Sequence, residues 1–305
     1  MTDKTILVVV DLYAEDEQAV LERAAWLAAR FGAAIELFAC DYDADIDAGY
    51  VATVWIPEPG VREQLMGKHR TKLDGLATPL RDRGLSVRVD VAWDHPFDAA
   101  IVRKVAESKP WLVAKSTRHH NLLQRTLLSN TDWHLIRDCP APLLLVKARA
   151  INDPPRVFAA VDPLHEHAKP ADLDDRIFGF AATLAGQTHG ELHVLHAAAL
   201  PVDLELPPDV SAAVVRRHKE AMSAFLSSHE ANPEHVHFVE GFVPEALRDA
   251  AAEHGADFVV MGAVSRRGLE RLFIGSTAER VLDRLPCDLV IVKQRGLAAP
   301  ERDAD

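Results

Sequence analysis

The sequence predicts two α/β domains in tandem, each built around a mainly parallel β-sheet. Three observations lead to this prediction. Short, continuous apolar runs alternate with longer segments in which apolar residues recur at helical spacing. The same order of runs and segments occurs twice along the chain. The length of 305 residues is sufficient for a separate hydrophobic core in each copy.

The first copy contains five strand-like runs and four helical segments. The strands are predicted at TILVVVD, AAIELFA, SVRVDVAW, WLVAK and PLLLVK. The helices are predicted at EQAVLERAAWLAARFG, REQLMGKHRTKLDGLATPLRDRG, PFDAAIVRKVAES and DWHLIRDC. The first helix ends on a glycine and the third begins with a proline, which are common stop and start residues. Because the strands are apolar throughout, we expect a parallel sheet that is buried on both faces.

The second copy repeats this order of elements. Its strands are predicted at RVFAAVD, ELHVLHA, HVHFVEG, ADFVVMG and DLVIVK. Its helices are predicted at LDDRIFGFAATLAGQTHG, DVSAAVVRRHKEAMSAFLSS, PEALRDAAAEHG and AERVLDRL. Corresponding residues of the two copies are Asp11 and Asp162, Pro96 and Pro244, Thr131 and Thr277, and Lys147 and Lys293. We therefore expect domains at residues 1–150 and 151–305, joined by the linker ARAINDPPR, with the acidic end APERDAD as a disordered tail.

Composition and charge limit the function classes. The formal net charge is −12, which argues against nucleic-acid binding because phosphate neutralisation normally needs a basic face. No apolar run approaches the length that spans a membrane. The three cysteines, Cys40, Cys139 and Cys287, form no CxxC motif and no disulfide framework. These features predict a cytoplasmic protein that binds neither nucleic acid nor membranes.

A glycine-punctuated loop in the second copy, MGAVSRRGLERLFIGSTAERVL, is the main candidate for a binding site. It follows a predicted strand and precedes a predicted helix, where backbone N–H groups and the helix dipole can receive an anion. Gly275, Ser276 and Thr277 stand at the start of that helix, and Arg266 is a cation that can meet a phosphate. The chain contains neither a Walker A motif nor GxGxxG. From the residues alone, the loop could equally be a turn and a helix cap.

The loop, the following CDLVIVK and the opening VFAAVD together resemble the universal stress protein family, and both copies match over nearly the full length. Nucleotide-binding members of that family have a glycine, two residues, a second glycine, nine residues, and then a glycine followed by Ser or Thr. Gly262, Gly275 and Ser276 match this pattern, whereas Ser265 replaces the middle glycine. The chain is similar to the tandem, two-domain members.

The resemblance implies a flavodoxin-like strand order, 3-2-1-4-5, in each copy. It also implies that a nucleotide, ATP or ADP with or without Mg²⁺, lies across the loops after strands one and four. Asp162 and the strand end near Ala197 would hold adenine and ribose, and the glycine loop would hold the phosphates. The predicted site consists of Asp162, Ala197, Gly262, Ser265, Arg266, Gly275, Ser276 and Thr277. The implied function is a regulatory or interaction module of the stress response, with at most slow ATP hydrolysis.

The first copy lacks this loop chemistry. The matching positions hold no glycine and are occupied by Ser116, His119, Ser129 and Asn130. Asp11 remains, but an aspartate after a strand can simply cap the next helix. We therefore expect no conventional nucleotide site in the first domain.

Other chemistries are less favoured but stay open. His165 and His167, like His235 and His237, have the i,i+2 spacing that puts both rings on one face of a strand, yet no carboxylate or cysteine partner is implied. No catalytic triad or GxSxG motif is recognisable, so no catalytic residue is assigned. The apolar segment LLQRTLLS in the first copy supports an alternative: a non-enzymatic interaction or carrier protein for an apolar or amphiphilic ligand.

The last strand of each copy would be a sheet edge in the implied order. Long apolar edges are aggregation hazards unless they are paired or covered. We therefore predict a pseudo-dimer within the chain, in which Leu143–Lys147 pairs with Leu289–Lys293. A homodimer of the whole chain is left open.

Overall fold

The computed structural model describes residues 4–14, 17–48, 50–51, 54–55, 60–117, 129–164, 172–198, 207–229, 235–241, 243–263 and 285–293. The contacts divide the chain into two units. The first includes the described residues of 4–116 and 130–148, and the second includes Thr117, Ser129 and the described residues of 149–293. Among the described residues, no helix is both long and apolar enough to cross a membrane.

The first unit is a five-stranded parallel sheet with its helices and one short hairpin. Its strands are β1 (Thr5–Val9), β2 (Ala34–Asp41), β3 (Tyr50–Val51), β4 (Val54–Trp55), β5 (Val87–Trp93), β6 (Leu112–Ser116) and β7 (Leu143–Val146). Its helices are α1 (Gln18–Phe31), α2 (Ala44–Asp47), α3 (Gly60–Asp82), α4 (Phe97–Ser108) and α5 (Asn130–Asp138). The order β7-β6-β1-β2-β5 is parallel at every pair. The antiparallel pair β3–β4, which the sequence analysis missed, lies outside this sheet.

The second unit repeats the arrangement. Its strands are β8 (Arg156–Ala160), β9 (Glu191–Ala198), β10 (Val236–Glu240), β11 (Phe258–Gly262) and β12 (Asp288–Val292). Its helices are α6 (Leu173–Thr188), α7 (Pro208–Ser228) and α8 (Val243–Glu253). The order β12-β11-β8-β9-β10 is again parallel at every pair. Counted along the chain, both units have the order 3-2-1-4-5, which confirms the predicted fold class.

Helices cover both faces of the sheet, as the contacts of three β2 residues demonstrate. Glu36 forms an ion pair of 2.7 Å with Lys104 of α4, and the same ammonium group lies 5.7 Å from the centre of the Phe38 ring. Asp41, an odd number of residues away, instead meets His69 of α3 at 2.7 Å. Because neighbouring strand residues point to opposite faces, α3 and α4 pack on opposite sides. This two-sided burial explains why the strands are continuously apolar.

The two units end their first helix in different ways. Gly32 ends α1 with a left-handed φ of 59°, the conformation that glycine adopts without steric cost. The corresponding residue after α6 is His189, with a φ of 53°. Gly190 follows it, and a Cβ at Gly190 would lie 2.4 Å from the carbonyl oxygen of Pro155. Gly190 is therefore needed because the Pro155 backbone approaches closely, and not because of a positive φ.

The segment predicted as a linker is folded into the second unit. Asp257 has a buried carboxylate that accepts hydrogen bonds from the backbone N–H of Asn152 at 3.0 Å and of Arg156 at 2.8 Å. Arg149 lies 3.5 Å from the same carboxylate. These contacts fix the chain that leads into β8.

β7 and β12 come last in the strand order of their own units, as expected. The pairing of Leu143–Lys147 with Leu289–Lys293 stays a prediction. The predicted helix AERVLDRL lies almost wholly outside the described residues.

Candidate functional site

The strand order of the second unit reverses at β8, and the carboxyl edge of the sheet at this point is the candidate site. The chain goes from β8 to β9 on one side and returns as β11 on the other. The β8–β11 register, continued by two residues, brings Gly262 level with Val161. The β8–β9 register, continued in the same way, brings Asp162 level with Ala197. Ligands of doubly wound sheets bind at such a point. The structure thus brings Asp162, Ala197 and Gly262 together.

The start of α6 fixes the backbone of Asp162. Its N–H donates a hydrogen bond of 3.0 Å to the carboxylate of Asp174, which lies in the first turn of α6 and is only 1% exposed. The preceding N–H, that of Val161, donates to the carbonyl oxygen of Leu195 at 3.0 Å. Arg176, also in α6, donates to the carbonyl oxygen of Lys293, which directly follows β12. The turn after β8 is therefore held rigidly while the Asp162 side chain stays half-buried.

Gly262 has a packing role that the sequence does not reveal. A Cβ at this position would lie 2.7 Å and 2.9 Å from two side-chain carbons of Leu173, and 3.1 Å from Cδ1 of Ile177. Leu173 and Ile177 are fully buried residues of α6. The absence of a side chain lets α6 pack closely against the end of β11. This requirement exists with or without a bound phosphate.

The rest of the predicted phosphate loop lies outside the described residues. This applies to Ser265, Arg266, Gly275, Ser276 and Thr277. The described part of the site consists of the positions predicted for adenine and ribose, together with the first residue of the loop.

The equivalent edge of the first unit has a different composition. Ser116 takes the place of Gly262, and its hydroxyl donates to the carboxylate of Glu17 at 3.0 and 3.1 Å. Glu17 precedes α1 and is 8% exposed. Asp11, considered above as a helix cap, instead accepts a hydrogen bond of 2.9 Å from the N–H of Tyr13, two residues ahead. This hydrogen bond shapes the turn after β1. Asp11 does not cap α1, since the residue at the N-terminal end of that helix is Glu17.

A second cluster at the edge of the first unit was not predicted from the sequence. One carboxylate oxygen of Asp41 accepts from the hydroxyl of Tyr13 at 2.9 Å and contacts Nε2 of His69 at 2.7 Å. Lys72 of α3 donates to the carbonyl oxygen of Leu12. Desolvation of the phenol, together with the hydrogen bond and negative charge of Asp41, raises the pKa of Tyr13 to about 12. The cluster places hydrogen-bonding side chains where the second unit has its predicted nucleotide site.

Four histidines and a phenylalanine pack together on one face of the second sheet. They are His193 of β9, His235 directly before β10, His237 of β10, His254 directly after α8, and Phe158 of β8. The His193 ring stacks on Phe158, with centroids 4.5 Å apart, and on His235 at 4.6 Å. The rings of His237 and His254 have centroids 4.1 Å apart. His235 and His237 therefore share a face, as their spacing predicts, but their partners come from elements distant in sequence.

One carboxylate and one guanidinium group border this histidine cluster. Glu191 lies 3.4 Å from Nε2 of His193 and 3.2 Å from Nε of Arg156. Nδ1 of His193 and Nε2 of His237 share a hydrogen bond of 2.9 Å. Burial lowers the pKa of His193, and the hydrogen bond to Glu191 opposes this only in part. Burial, followed by the nearby charges of His254, His193 and His235, lowers the pKa of His237 to about 4.

The geometry of the histidine cluster is that of stacked rings rather than of ligands around a metal ion. Within the described residues, no three histidine, cysteine, aspartate or glutamate side chains are arranged to hold a metal ion. Face-to-face rings cannot aim their nitrogens at one point, which metal coordination requires. His165 and His167 lie outside the described residues.

A buried histidine pair lies on the opposite face of the second sheet, close to the Asp162 turn. His196 is 1% exposed, and its Nδ1 donates to the carbonyl oxygen of Val161 at 2.9 Å. Because a carbonyl can only accept, Nδ1 of His196 carries the hydrogen. Nε2 of His196 and Nδ1 of His218 in α7 share a hydrogen bond of 2.8 Å. This pair connects α7 to the strand end that precedes Asp162.

This is a doubly wound α/β protein with two tandem units. Both units have the same strand order, and the candidate site lies where that order reverses. The sequence model of the universal stress protein family matches residues 3–147 and 168–293. The chain belongs to the universal stress protein family.

Relatives and solved structures agree with this membership over both units. Universal stress protein E of Escherichia coli strain K12 is 30% identical over 301 residues, covering 95% of this chain and 94% of the relative. A universal stress protein structure from Pseudomonas aeruginosa is 27% identical and covers 96% of this chain and 94% of its own, with a TM-score of 0.73. One from Archaeoglobus fulgidus has 18% identity and a TM-score of 0.69, covering 96% and 99%. This last likeness concerns the fold alone.

Proposed function

We propose that the second domain binds an adenine nucleotide, ATP or ADP, and that the protein is a cytoplasmic regulatory or interaction module of the stress response. The observation that carries the proposal is the reversal of strand order at β8. It brings Asp162, Ala197 and Gly262 to the carboxyl ends of three neighbouring strands, within one residue of the same register position. Each residue has a chemical property that suits this ligand.

Asp162 is suited to the ribose. Its backbone is fixed by Asp174, so that its carboxylate is presented in a restricted position at the edge. A carboxylate accepts hydrogen bonds from the hydroxyl groups of a ribose, as in other doubly wound nucleotide sites. Ala197 is small and half-buried at the neighbouring strand end, which leaves space for a flat base.

The loop that begins at Gly262 is suited to the phosphates. Gly275, Ser276 and Thr277 stand where the sequence predicts the start of the last helix, and backbone N–H groups at a helix start bind anions. Ser265 and Arg266 add a hydroxyl donor and a cation. No nucleophile or general base is recognisable in the sequence, so the proposed role is nucleotide binding, with at most slow hydrolysis.

The first domain is proposed not to bind a nucleotide. The buried carboxylate of Glu17 lies beside Ser116 at the end of the fourth strand, where phosphates would approach. A negative charge at that point repels an anionic ligand. The proposed binding is therefore asymmetric between the two domains.

The decisive experiment is titration of the full chain with ATP and Mg²⁺ by calorimetry and thermal unfolding. A ligand at one hundred times its dissociation constant stabilises the bound state by about 2.7 kcal/mol. This raises the melting midpoint of a domain of this size by roughly 5–10 °C. Gly275→Val should abolish the shift, because a β-branched side chain blocks the phosphate from the backbone. The matched change in the first domain, Ser129→Val, should leave it intact.

The absence of heat, of a melting shift and of nucleotide released on denaturation would refute the proposal. In that case, mass spectrometry of an organic extract tests the alternative, a carrier of an apolar or amphiphilic ligand.

A further inference from the structure

The histidine cluster of the second domain has a counterpart of different chemistry in the first domain. Glu36 and His193 are each the third residue of the second strand of their unit. Glu36 pairs in register with Arg88, and His193 is level with His235 when the β9–β10 register is continued by one residue. Two residues further along the third strands, Asp90 corresponds to His237. The same part of the same face is thus ionic in one domain and imidazole in the other.

The first-domain version is a network of paired charges. Glu36 is 2.9 Å from Arg88 and 2.7 Å from Lys104, and Lys104 is 2.8 Å from Asp90. Burial by itself lowers the pKa of Lys104, but the hydrogen bonds to Asp90 and Glu36 outweigh this effect and the pKa is raised. Carboxylate, guanidinium and ammonium groups ordinarily titrate outside the range from pH 5 to pH 8. The first domain therefore holds groups of these classes at the position where the second domain holds imidazoles.

The second-domain version responds to protons. Histidine ordinarily titrates near pH 6.5, within the range that the ordinary pKa values of carboxylate, guanidinium and ammonium groups leave free. His193 and His237 already share one hydrogen bond, and each stacks on an apolar or imidazole ring. The Arg156 guanidinium borders the cluster as a permanent cation, and it shares the Glu191 carboxylate with His193. A positive charge added to these rings would be attracted by one carboxylate, which Arg156 already neutralises in part, and would be repelled by Arg156 and by any other protonated imidazole.

We infer that the histidine cluster of His193, His235, His237 and His254 is an acid-sensitive latch, whose protonation below neutral pH loosens β10 and α8 from the second domain. β10 is the end strand of its sheet, paired with β9, and His254 comes directly after α8. Separation of β10 and α8 from β9 and Phe158 moves the rings of His235, His237 and His254 away from those of His193 and Phe158 and lets water solvate them. This inference does not depend on nucleotide binding.

The sign of the effect follows from the lowered pKa values of His193 and His237. A histidine whose pKa is lower in the closed state takes up its proton when the latch opens. The closed state is therefore fully stable above about pH 6.5 and loses stability as the pH falls towards the lowered pKa. For His237, with a pKa of about 4, the opening equilibrium increases at most about 20-fold between pH 7 and pH 5. His193 adds to this increase in the same direction.

Hydrogen exchange of the full chain at pH 7 and pH 5, corrected for intrinsic exchange rates, tests the latch. We expect the amides of β10 and α8 to lose protection by about tenfold or more at pH 5. The equivalent amides of β5 and α4, which face the ionic network, should keep theirs and form the internal control. Equal changes in the two domains would overturn the inference.

Two variants assign the effect to the cluster. His237→Phe retains a ring beside Phe158 and His254 but cannot be protonated, so we expect the loss of protection at pH 5 to shrink by most of its size. His229→Gln is the matched control in the same domain, because His229 lies outside the cluster, 3.1 Å from Asp175. It should behave as the wild type does. An unchanged pH response in His237→Phe would contradict the latch.

Ring titration of the wild-type histidines by NMR keeps the inference testable even if His237→Phe does not fold. We expect the His193 and His237 rings to titrate below pH 6.5 in the folded protein. Titration of both at or above that value would refute the latch.

Discussion

Replacement of Gly262 by alanine tests whether this glycine is a packing residue. The added Cβ would lie 2.7 Å from Cδ2 of Leu173 and 3.1 Å from Cδ1 of Ile177. Both side chains are fully buried, so neither can move into solvent to make room. Overpacking of this kind typically costs about 1–3 kcal/mol. For a domain of about 150 residues, each 1 kcal/mol lowers the melting midpoint by about 2–4 °C.

The assay is urea unfolding and thermal melting of Gly262→Ala without nucleotide, compared with wild type. The matched control is Gly179→Ala in the same helix, α6. Gly179 is exposed, and a Cβ there would meet no atom within 4 Å. Because alanine is the better helix former, Gly179→Ala should stabilise the protein by about 0.5–1 kcal/mol. If Gly262→Ala is as stable as wild type, Gly262 is not required for packing, and the approach of a phosphate would be the remaining reason for the glycine.

Three further changes have expected outcomes that unfolding experiments can measure. Asp132→Ala should destabilise the protein by about 3–5 kcal/mol, because it leaves the buried Lys115, 2.7 Å away, without that carboxylate. Gly190→Ala should destabilise more than Gly262→Ala, because its Cβ would lie 2.4 Å from a backbone oxygen of Pro155, which cannot rotate away. Val290→Pro removes a backbone donor from β12, and if the last strands of the two domains pair as predicted, both domains should lose stability together.

Each of these predictions has its own control. The double change of Lys115→Met with Asp132→Leu should recover most of the stability that Asp132→Ala loses, since an apolar pair replaces the ion pair. Equal stabilities of Gly190→Ala and Gly262→Ala would show that the Pro155 backbone yields. Loss of stability in the second domain alone after Val290→Pro would refute the predicted pairing, as would stable, monomeric isolated halves.

The sequence predicted the architecture because the relevant information is local and appears twice. Apolar runs such as TILVVVD and ADFVVMG reveal strands buried on both faces, and the repeated order of elements reveals the duplication. The family resemblance implied the strand order, and with it the meeting of Asp162, Ala197 and Gly262 at one edge. The short hairpin β3–β4 was missed because two-residue strands have no period to detect.

What the sequence alone determined is the set of elements and the direction in which side chains alternate; which side chains meet was decided only by the tertiary structure. The i,i+2 spacing put His235 and His237 on one face, but His193, His254 and Phe158 join them through the strand register and the return of α8. Similarly, Gly262 belonged to a phosphate motif in the sequence, whereas the structure places Leu173 against it. Packing brings together residues that are far apart in the chain. A period of two or 3.6 residues indicates which face a side chain is on, but not which distant residues it contacts.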